Sequence, residues 1–114
     1  PFEAEHSSCS DLTPETFRWS RNKEECDTIV CIDNGIVGMF ESEEIHENRF
    51  GWLCESPAFI ENTYTLIEEN YEALLDYYKA IFTCDKNLTN KHDRIHLINS
   101  GSNLPWVKEK QLFY

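Results

Sequence analysis

The sequence lacks several features that would point directly to a function. Its apolar runs fall well short of the ~20 residues that a membrane-spanning helix needs, so we expect no membrane span. It contains neither GxGxxG nor GxxxxGK(S/T), the two common motifs for binding nucleotide phosphates. None of its five cysteines is spaced as CxxC, and we interpret its four histidines as surface or packing residues, so we expect no metal site.

Positive charge is also scarce. Ten Lys and Arg residues stand against 21 Asp and Glu residues, which gives a net charge of −11. Such a domain repels a phosphate backbone and an anionic membrane, so we expect no nucleic acid among its partners. The five cysteines are an odd number, and Cys31, Cys54 and Cys84 lie within apolar stretches. This pattern indicates reduced, buried thiols, and therefore a cytoplasmic protein.

What the sequence does contain is the composition of one folded domain. Its 114 residues are 40% hydrophobic, with only four glycines and four prolines. Four short apolar stretches predict strands at residues 26–33, 49–54, 79–84 and 94–98. From Ile60 to Tyr78, apolar residues recur at alternating steps of four and three, which predicts one long amphipathic helix. We therefore predict an α/β fold: a Rossmann-like three-layer domain with a mainly parallel sheet of four or five strands.

The shorter elements are less clearly marked. Thr13, Pro14 and Glu15 have the residue types of a helix start, and we expect a short helix that ends near Arg21. The apolar residues 36–40 and the acidic residues that follow them predict either a short surface helix or a loop.

Polar residues follow each predicted strand. In parallel sheets, ligands bind beyond the carboxyl ends of the strands. We therefore predict a substrate-binding edge, with Trp106 in the extended segment that follows. Its candidate residues at the strand ends are Asp33, Asn34, Glu55, Ser56, Asp85 and Ser100. For Asp33 and Asp85, a role in forming turns is the interpretation that we favour over substrate binding.

Glu55 is the candidate with the most specific chemistry. The apolar segment GWLC ends at this acid, and the following Ser56-Pro57 stops the strand. A glutamate that acts as a general base needs a pKa raised from ~4.3 toward neutrality, which an apolar environment provides. The apolar neighbours here are Trp52 and Pro57. The alternative is that the carboxylate only accepts hydrogen bonds from backbone N–H groups at the start of the next helix.

Three segments together resemble a known family. Residues 52–57 (WLCESP) resemble the W…ESP segment of α-1,3-fucosyltransferases. Residues 81–85 (IFTCD) resemble the strand that those enzymes carry as FNWT(L/M)SY, and residues 95–106 resemble their next strand and glycine turn. The resemblance covers about residues 50–106. The chain departs from the pattern after Pro57, where it lacks the His that is common in animal members.

The resemblance implies a GT-B glycosyltransferase, which has two Rossmann-like domains facing each other across a cleft. In that family the ESP glutamate belongs to the N-terminal, acceptor-side domain and takes a proton from the acceptor hydroxyl, so Glu55 would be the general base. The GDP-sugar donor would bind a C-terminal domain that lies outside these 114 residues. We accordingly expect a single domain that forms the N-terminal half of a longer protein, with a carbohydrate acceptor as partner and no cofactor of its own. The alternative is a non-catalytic α/β binding or interaction module.

Overall fold

The computed structural model describes residues 20–98. The chain divides into two units, and residues 26–100 form the one that contains the sheet. The other unit comprises residues 1–25 and 101–114, and its described part includes a short 3₁₀ helix at Lys23–Glu25. The helix predicted from Thr13 lies outside the described residues, apart from its last two positions.

Four parallel strands form a single sheet. They are β1 (Ile29–Ile32), β2 (Arg49–Leu53), β3 (Ala80–Thr83) and β4 (Ile95–Leu97), and they lie side by side in that order. Each observed strand falls within one of the four predicted segments. The α/β class and the parallel sheet are therefore confirmed.

Three helices connect the strands: α1 (Asn34–Ser42), α2 (Glu61–Tyr77) and α3 (Lys86–Thr89). The helix α1 occupies the segment for which the sequence left helix and loop open. The helix α2 is the predicted amphipathic helix. It begins only at Glu61 because residues 57–59 form a turn, in which the N–H groups of Phe59 and Ile60 donate to the Ser56 carbonyl.

Helices α1 and α2 cover the same face of the sheet. Ile36 of α1 is fully buried against Gly51 and Ile81, and a Cβ atom at Gly51 would lie only 3.1 Å from its Cδ1. The absent side chain at Gly51 therefore allows α1 to approach β2 closely. Tyr64 of α2 forms a hydrogen bond with Thr83, which points to the same side of β3 as Ile81.

The opposite face of the sheet is aromatic. The rings of Phe50 and Phe82 lie 6.3 Å apart between centroids, and those of Phe82 and His96 lie 5.5 Å apart. Phe50 and Phe82 are half-buried, and His96 is exposed. Within residues 20–98 no long helix covers this face, so the described part of the predicted three-layer domain comprises two layers.

None of the helices within residues 20–98 combines the length and the apolar character that crossing a membrane requires.

Candidate functional site

Glu55 lies two residues beyond the end of β2, a central strand of the sheet. Its side chain is exposed. Among the residues that the structure describes, no partner contacts its carboxylate through a hydrogen bond or an ion pair. The residue at the N-cap of α2 is Ile60, so Glu55 does not cap that helix. The carboxylate is therefore available to a ligand.

The backbone of Glu55, in contrast, is held on both sides. Its N–H group donates to Oδ1 of Asp33 at 3.2 Å, and the N–H of Cys54 donates to the same oxygen at 2.8 Å. Its carbonyl oxygen accepts a hydrogen bond from the Tyr64 hydroxyl at 2.9 Å. The end of β1 and the helix α2 thus fix the segment that carries the unengaged carboxylate.

Tyr64 extends this network to the end of β3. Its hydroxyl oxygen lies 3.2 Å from Oγ1 of Thr83, which in turn accepts from the N–H of Asp85 at 3.1 Å. Burial raises the pKa of Tyr64 to about 12, against the smaller opposing effect of the Thr83 hydrogen bond. The tyrosine is therefore protonated at neutral pH and can donate to the Glu55 carbonyl. Thr83 is fully buried, so this network belongs to the core as well as to the binding edge.

Asp33 adopts an uncommon backbone conformation between β1 and α1. Its φ of 50° and ψ of −119° lie outside the regions that non-glycine residues favour. Its N–H donates to the Trp52 carbonyl at 3.0 Å, and its own carbonyl accepts from the N–H of Ile36 at 3.0 Å. With its carboxylate on Cys54 and Glu55, Asp33 connects the end of β1 to the end of β2.

Asn34, Asp85 and Ser56, the other predicted site residues that the structure describes, lie at the same edge and form hydrogen bonds within the fold. Asn34 accepts a hydrogen bond from the Thr63 hydroxyl through Oδ1, which links α1 to α2. Asp85 is the N-cap of α3 and accepts from the N–H of Leu88 at 3.1 Å. The carbonyl of Ser56 closes the turn that precedes α2. Ser100 and Trp106 lie outside the described residues.

Cys54 precedes Glu55 in the chain and donates its backbone N–H to Asp33, and the charges of both acids affect the pKa of its thiol. Partial burial raises the pKa of its thiol to about 11, and the negative charges of Asp33, Glu55 and Cys84 act in the same direction. A thiol with such a pKa is protonated at neutral pH. Since the thiolate is the reactive form, Cys54 is poorly suited to be a nucleophile.

The histidines do not form a metal site in the described residues. His92 and His96 are four residues apart, but they lie against different partners. The His92 ring packs against Tyr71, and the His96 ring packs against Phe82 on the aromatic face of the sheet. Within residues 20–98 there is no cluster of three or more His, Cys, Asp or Glu side chains able to hold a metal ion.

A cavity of about 510 Å³ lies at the end of the sheet where β2 begins, opposite to the end at which Glu55 lies. It is near Arg49, the first residue of β2, and near the carboxyl-terminal ends of α1 and α2. The Arg49 guanidinium carbon lies 4.0 Å from the centroid of the Tyr77 ring, and Arg49 Nε donates to the Tyr77 carbonyl at 2.8 Å. Arg49 therefore has a structural role here, and the cavity is separate from the predicted binding edge.

Tyr64 and Thr83 are two residues of the site that the sequence did not indicate. The sequence pattern indicates Tyr64 only as one position of the apolar face of α2, and Thr83 only as a strand residue. A tyrosine on a buried helix face has the same spacing whether or not its hydroxyl forms a hydrogen bond. The only sequence signal for this pair is that Thr83, a residue with a hydroxyl group, ends a strand, and that Tyr64 lies near the start of a helix.

Comparison of the chain with protein family models, with curated protein sequences and with solved structures found no match. No family is therefore assigned to it. The α/β fold supports many unrelated activities, so a function has to be argued from the site.

Proposed function

We propose that this chain is the acceptor-side domain of a glycosyltransferase that uses a sugar-nucleotide donor, and that Glu55 is its general base. The observation that carries the proposal is the combination at Glu55: a backbone held on both sides and an exposed carboxylate with no protein partner described. A general base must be fixed in position and free to accept a proton.

The reaction is a single displacement. The carboxylate of Glu55 accepts the proton of the acceptor hydroxyl as that oxygen attacks the anomeric carbon of the donor sugar. The bond between the anomeric carbon and the phosphate oxygen breaks, and the nucleoside diphosphate leaves with the bonding electrons. Attack from the side opposite the leaving group inverts the configuration at the anomeric carbon.

Two further observations support this assignment. Glu55 lies beyond the carboxyl end of a central parallel strand, which is where α/β sheets commonly bind ligands. It also belongs to the WLCESP segment that resembles the α-1,3-fucosyltransferases.

Donor binding is assigned in this proposal to a second domain, which would supply the basic groups for a GDP-sugar. A net charge of −11 suits the acceptor side better than the side that binds phosphates.

The alternative is a non-catalytic α/β module that binds a partner at the same edge. It is favoured by the internal hydrogen bonds of Asn34 and Asp85, which occupy oxygens that a substrate would otherwise use. It is also favoured by the exposure of Glu55, because the described residues do not enclose this carboxylate in an apolar pocket. The two functions differ in whether the charge of Glu55 is required for turnover.

The test is the steady-state rate of glycosyl transfer by the full-length protein and its Glu55→Gln variant, with GDP-fucose as the first donor. Removal of a general base lowers kcat by ~10²- to 10⁴-fold. Stability should not change, because the carboxylate forms no contact among the described residues. The matched control is Glu69→Gln, since Glu69 is an exposed acid of α2. Equal kcat values for the two variants would eliminate Glu55 as the base.

A further inference from the structure

We propose that Asp33 is a positioning residue, whose strained backbone and carboxylate hold the Glu55 segment in the geometry that the site requires. Its importance for catalysis rests on the proposed function, but the positioning itself is a property of the fold. The hydrogen bonds of Asp33 to Cys54 and Glu55 go to their backbone N–H groups, so it would act through Glu55 rather than on a substrate.

The first argument is what Asp33 does not do. It occupies the N-cap position of α1, where an Asp side chain ordinarily accepts a hydrogen bond from a backbone N–H of the first helical turn. Asp33 makes no such cap bond. Its carboxylate instead reaches the neighbouring strand and accepts from two consecutive N–H groups, those of Cys54 and Glu55. The helix start gives up a stabilising interaction, and the end of β2 gains one.

The second argument is the backbone strain. A residue with a side chain at φ 50° and ψ −119° is held there only when the surrounding structure determines it, and such residues cluster at functional sites. Glu43, the other described non-glycine residue with a positive φ, has φ 52° and ψ 29° at the end of α1. That is the usual left-handed conformation of a helix end. The conformation of Asp33 has no such routine explanation.

A different role for Asp33 would be that of a nucleophile. A strained turn from strand to helix, with Gly35 two residues later, also occurs in enzymes that present a nucleophile at that position. In those enzymes the reactive atom is exposed. Oδ1 of Asp33 instead accepts hydrogen bonds from the backbone N–H groups of Cys54 and Glu55, which hold the side chain in place. The geometry therefore favours positioning over covalent catalysis.

The proposal is tested with three replacements of Asp33 in the full-length protein. Asn retains an Oδ1 acceptor and tolerates a positive φ, but it removes the charge. Gly relieves the backbone strain and removes the acceptor, and Ala removes the acceptor while keeping the strain. One measurement is the hydrogen-exchange protection of the Cys54 and Glu55 amides by NMR. A second is the pH dependence of Cys54 alkylation, which reports the local negative charge.

We expect Asp33→Asn to retain protection of the two amides, and to shift Cys54 alkylation to lower pH because one nearby negative charge is lost. We expect Asp33→Gly to lose protection of both amides by at least about tenfold, and to lower kcat more than it changes KM. Asp33→Ala should lose the same protection and in addition destabilise the fold. The matched control, Glu43→Gly, should change neither the two amides nor the alkylation profile.

Unchanged protection of the Cys54 and Glu55 amides in Asp33→Gly would overturn the proposal. If neither Asp33→Gly nor Asp33→Ala gives a folded protein, the Asp33→Asn variant decides. Loss of hydrogen-exchange protection at the Cys54 and Glu55 amides in that variant would overturn the idea that the Oδ1 acceptor is sufficient to hold this segment. The proposed function fails separately. Loss of amide protection in Asp33→Gly, together with full activity of Glu55→Gln, would leave the positioning intact and remove the general base.

Discussion

At the scale of single residues, the site consists of a fixed backbone and an available side chain. Asp33 and Tyr64 hold the N–H and the C=O of Glu55, and neither contacts its carboxylate. Such an arrangement fixes the backbone from which the side chain extends and leaves the carboxylate available to accept a proton. It also means that the residues that matter for positioning can be changed separately from the residue that would do the chemistry.

The hydroxyl of Tyr64 gives the first prediction. Replacement of Tyr64 by Phe leaves the Glu55 carbonyl and the fully buried Thr83 hydroxyl without this partner. Loss of partners for such groups costs about 1–3 kcal/mol of unfolding free energy. Urea denaturation measures the loss. The control is Tyr71→Phe, because Tyr71 lies on the same helix and its described contact is between rings, with His92. Equal stability of the two variants would contradict the hydrogen bonds of the Tyr64 hydroxyl to Glu55 and Thr83.

How far the site could be predicted differs among its residues. Glu55 was identifiable because an acid directly after an apolar strand stands out against the pattern. The turn-forming interpretation of Asp85 agrees with its capping of α3. The strain at Asp33 was not predictable, because backbone dihedral angles depend on contacts between strands that are distant in sequence. The substrate-binding roles assigned to Asn34 and Ser56 stay predictions.

At the scale of elements, close contact between α1 and β2 depends on Gly51. A methyl group there would meet Ile36 Cδ1 at 3.1 Å and Ile81 Cγ1 at 3.3 Å, both in fully buried side chains. We expect Gly51→Ala to destabilise the protein by about 1–2 kcal/mol through overpacking. Gly38→Ala is the control, since Gly38 lies in α1 with nothing within 4 Å of an added Cβ.

Gly38→Ala should stabilise the protein by about 0.5–1 kcal/mol, because glycine inside a helix is unfavourable relative to alanine. Thermal unfolding of both variants compares the two effects directly. A gain in stability for Gly51→Ala equal to that of Gly38→Ala would mean that α1 can move away from the sheet at little cost.

Helix α2 contains a local break that gives another prediction. Asn70 has φ −126° and ψ 17°, outside the helical range, and its Nδ2 donates to the Leu66 carbonyl at 2.8 Å. The side chain thereby takes the carbonyl that the backbone N–H of a helical residue would use. Asn70→Ala should restore that turn and raise the unfolding free energy by about 0.5 kcal/mol.

The control for Asn70 is Asn62→Ala, because Asn62 is an exposed asparagine near the start of the same helix, where asparagine is better tolerated. Denaturation midpoints of the two variants measure the difference. A larger gain for Asn62→Ala would show that the break at Asn70 costs the helix nothing.

The predictability of the elements follows their periodicity. Helix α2 was predicted within one residue at each end because its apolar face repeats over nearly five turns. The strands lie where the sequence predicts them but are shorter. The predicted bounds include flanking residues such as Asp27, Lys79 and Arg94, which precede the first paired residues of the strands. The sequence does not distinguish helix from loop at α1, because nine residues give too few turns for a clear period. The C-cap of this helix, Glu43, is a left-handed residue that is not glycine.

At the scale of the whole molecule, two thiols and two phenols of the described residues are buried or partly buried, and their raised pKa values predict that the protein loses stability at alkaline pH. Burial raises the pKa of Cys54 from 9.0 to about 11 and that of Tyr64 from 10.0 to about 12. It also raises the pKa of Cys31 and of Tyr78. The folded protein therefore retains these protons at pH values where the unfolded chain releases them.

The sign of the pH effect follows from this difference. The unfolded state binds fewer protons above pH ~9, so the unfolding free energy is constant up to that pH and falls as the pH rises toward ~12. Urea denaturation between pH 7 and 11.5 measures the fall. Tyr64→Phe should weaken the part of it above pH ~10. Constant or increasing stability across this range would contradict the burial of these groups.

We propose that the carboxylate of Glu55 takes the acceptor proton during glycosyl transfer. The most direct test of this role is the single-turnover rate of sugar transfer by the full-length protein with saturating donor and acceptor, because this rate is independent of product release. We predict a rate ~10²- to 10⁴-fold lower for Glu55→Gln, with donor binding unchanged. An unchanged single-turnover rate in Glu55→Gln would contradict the assignment.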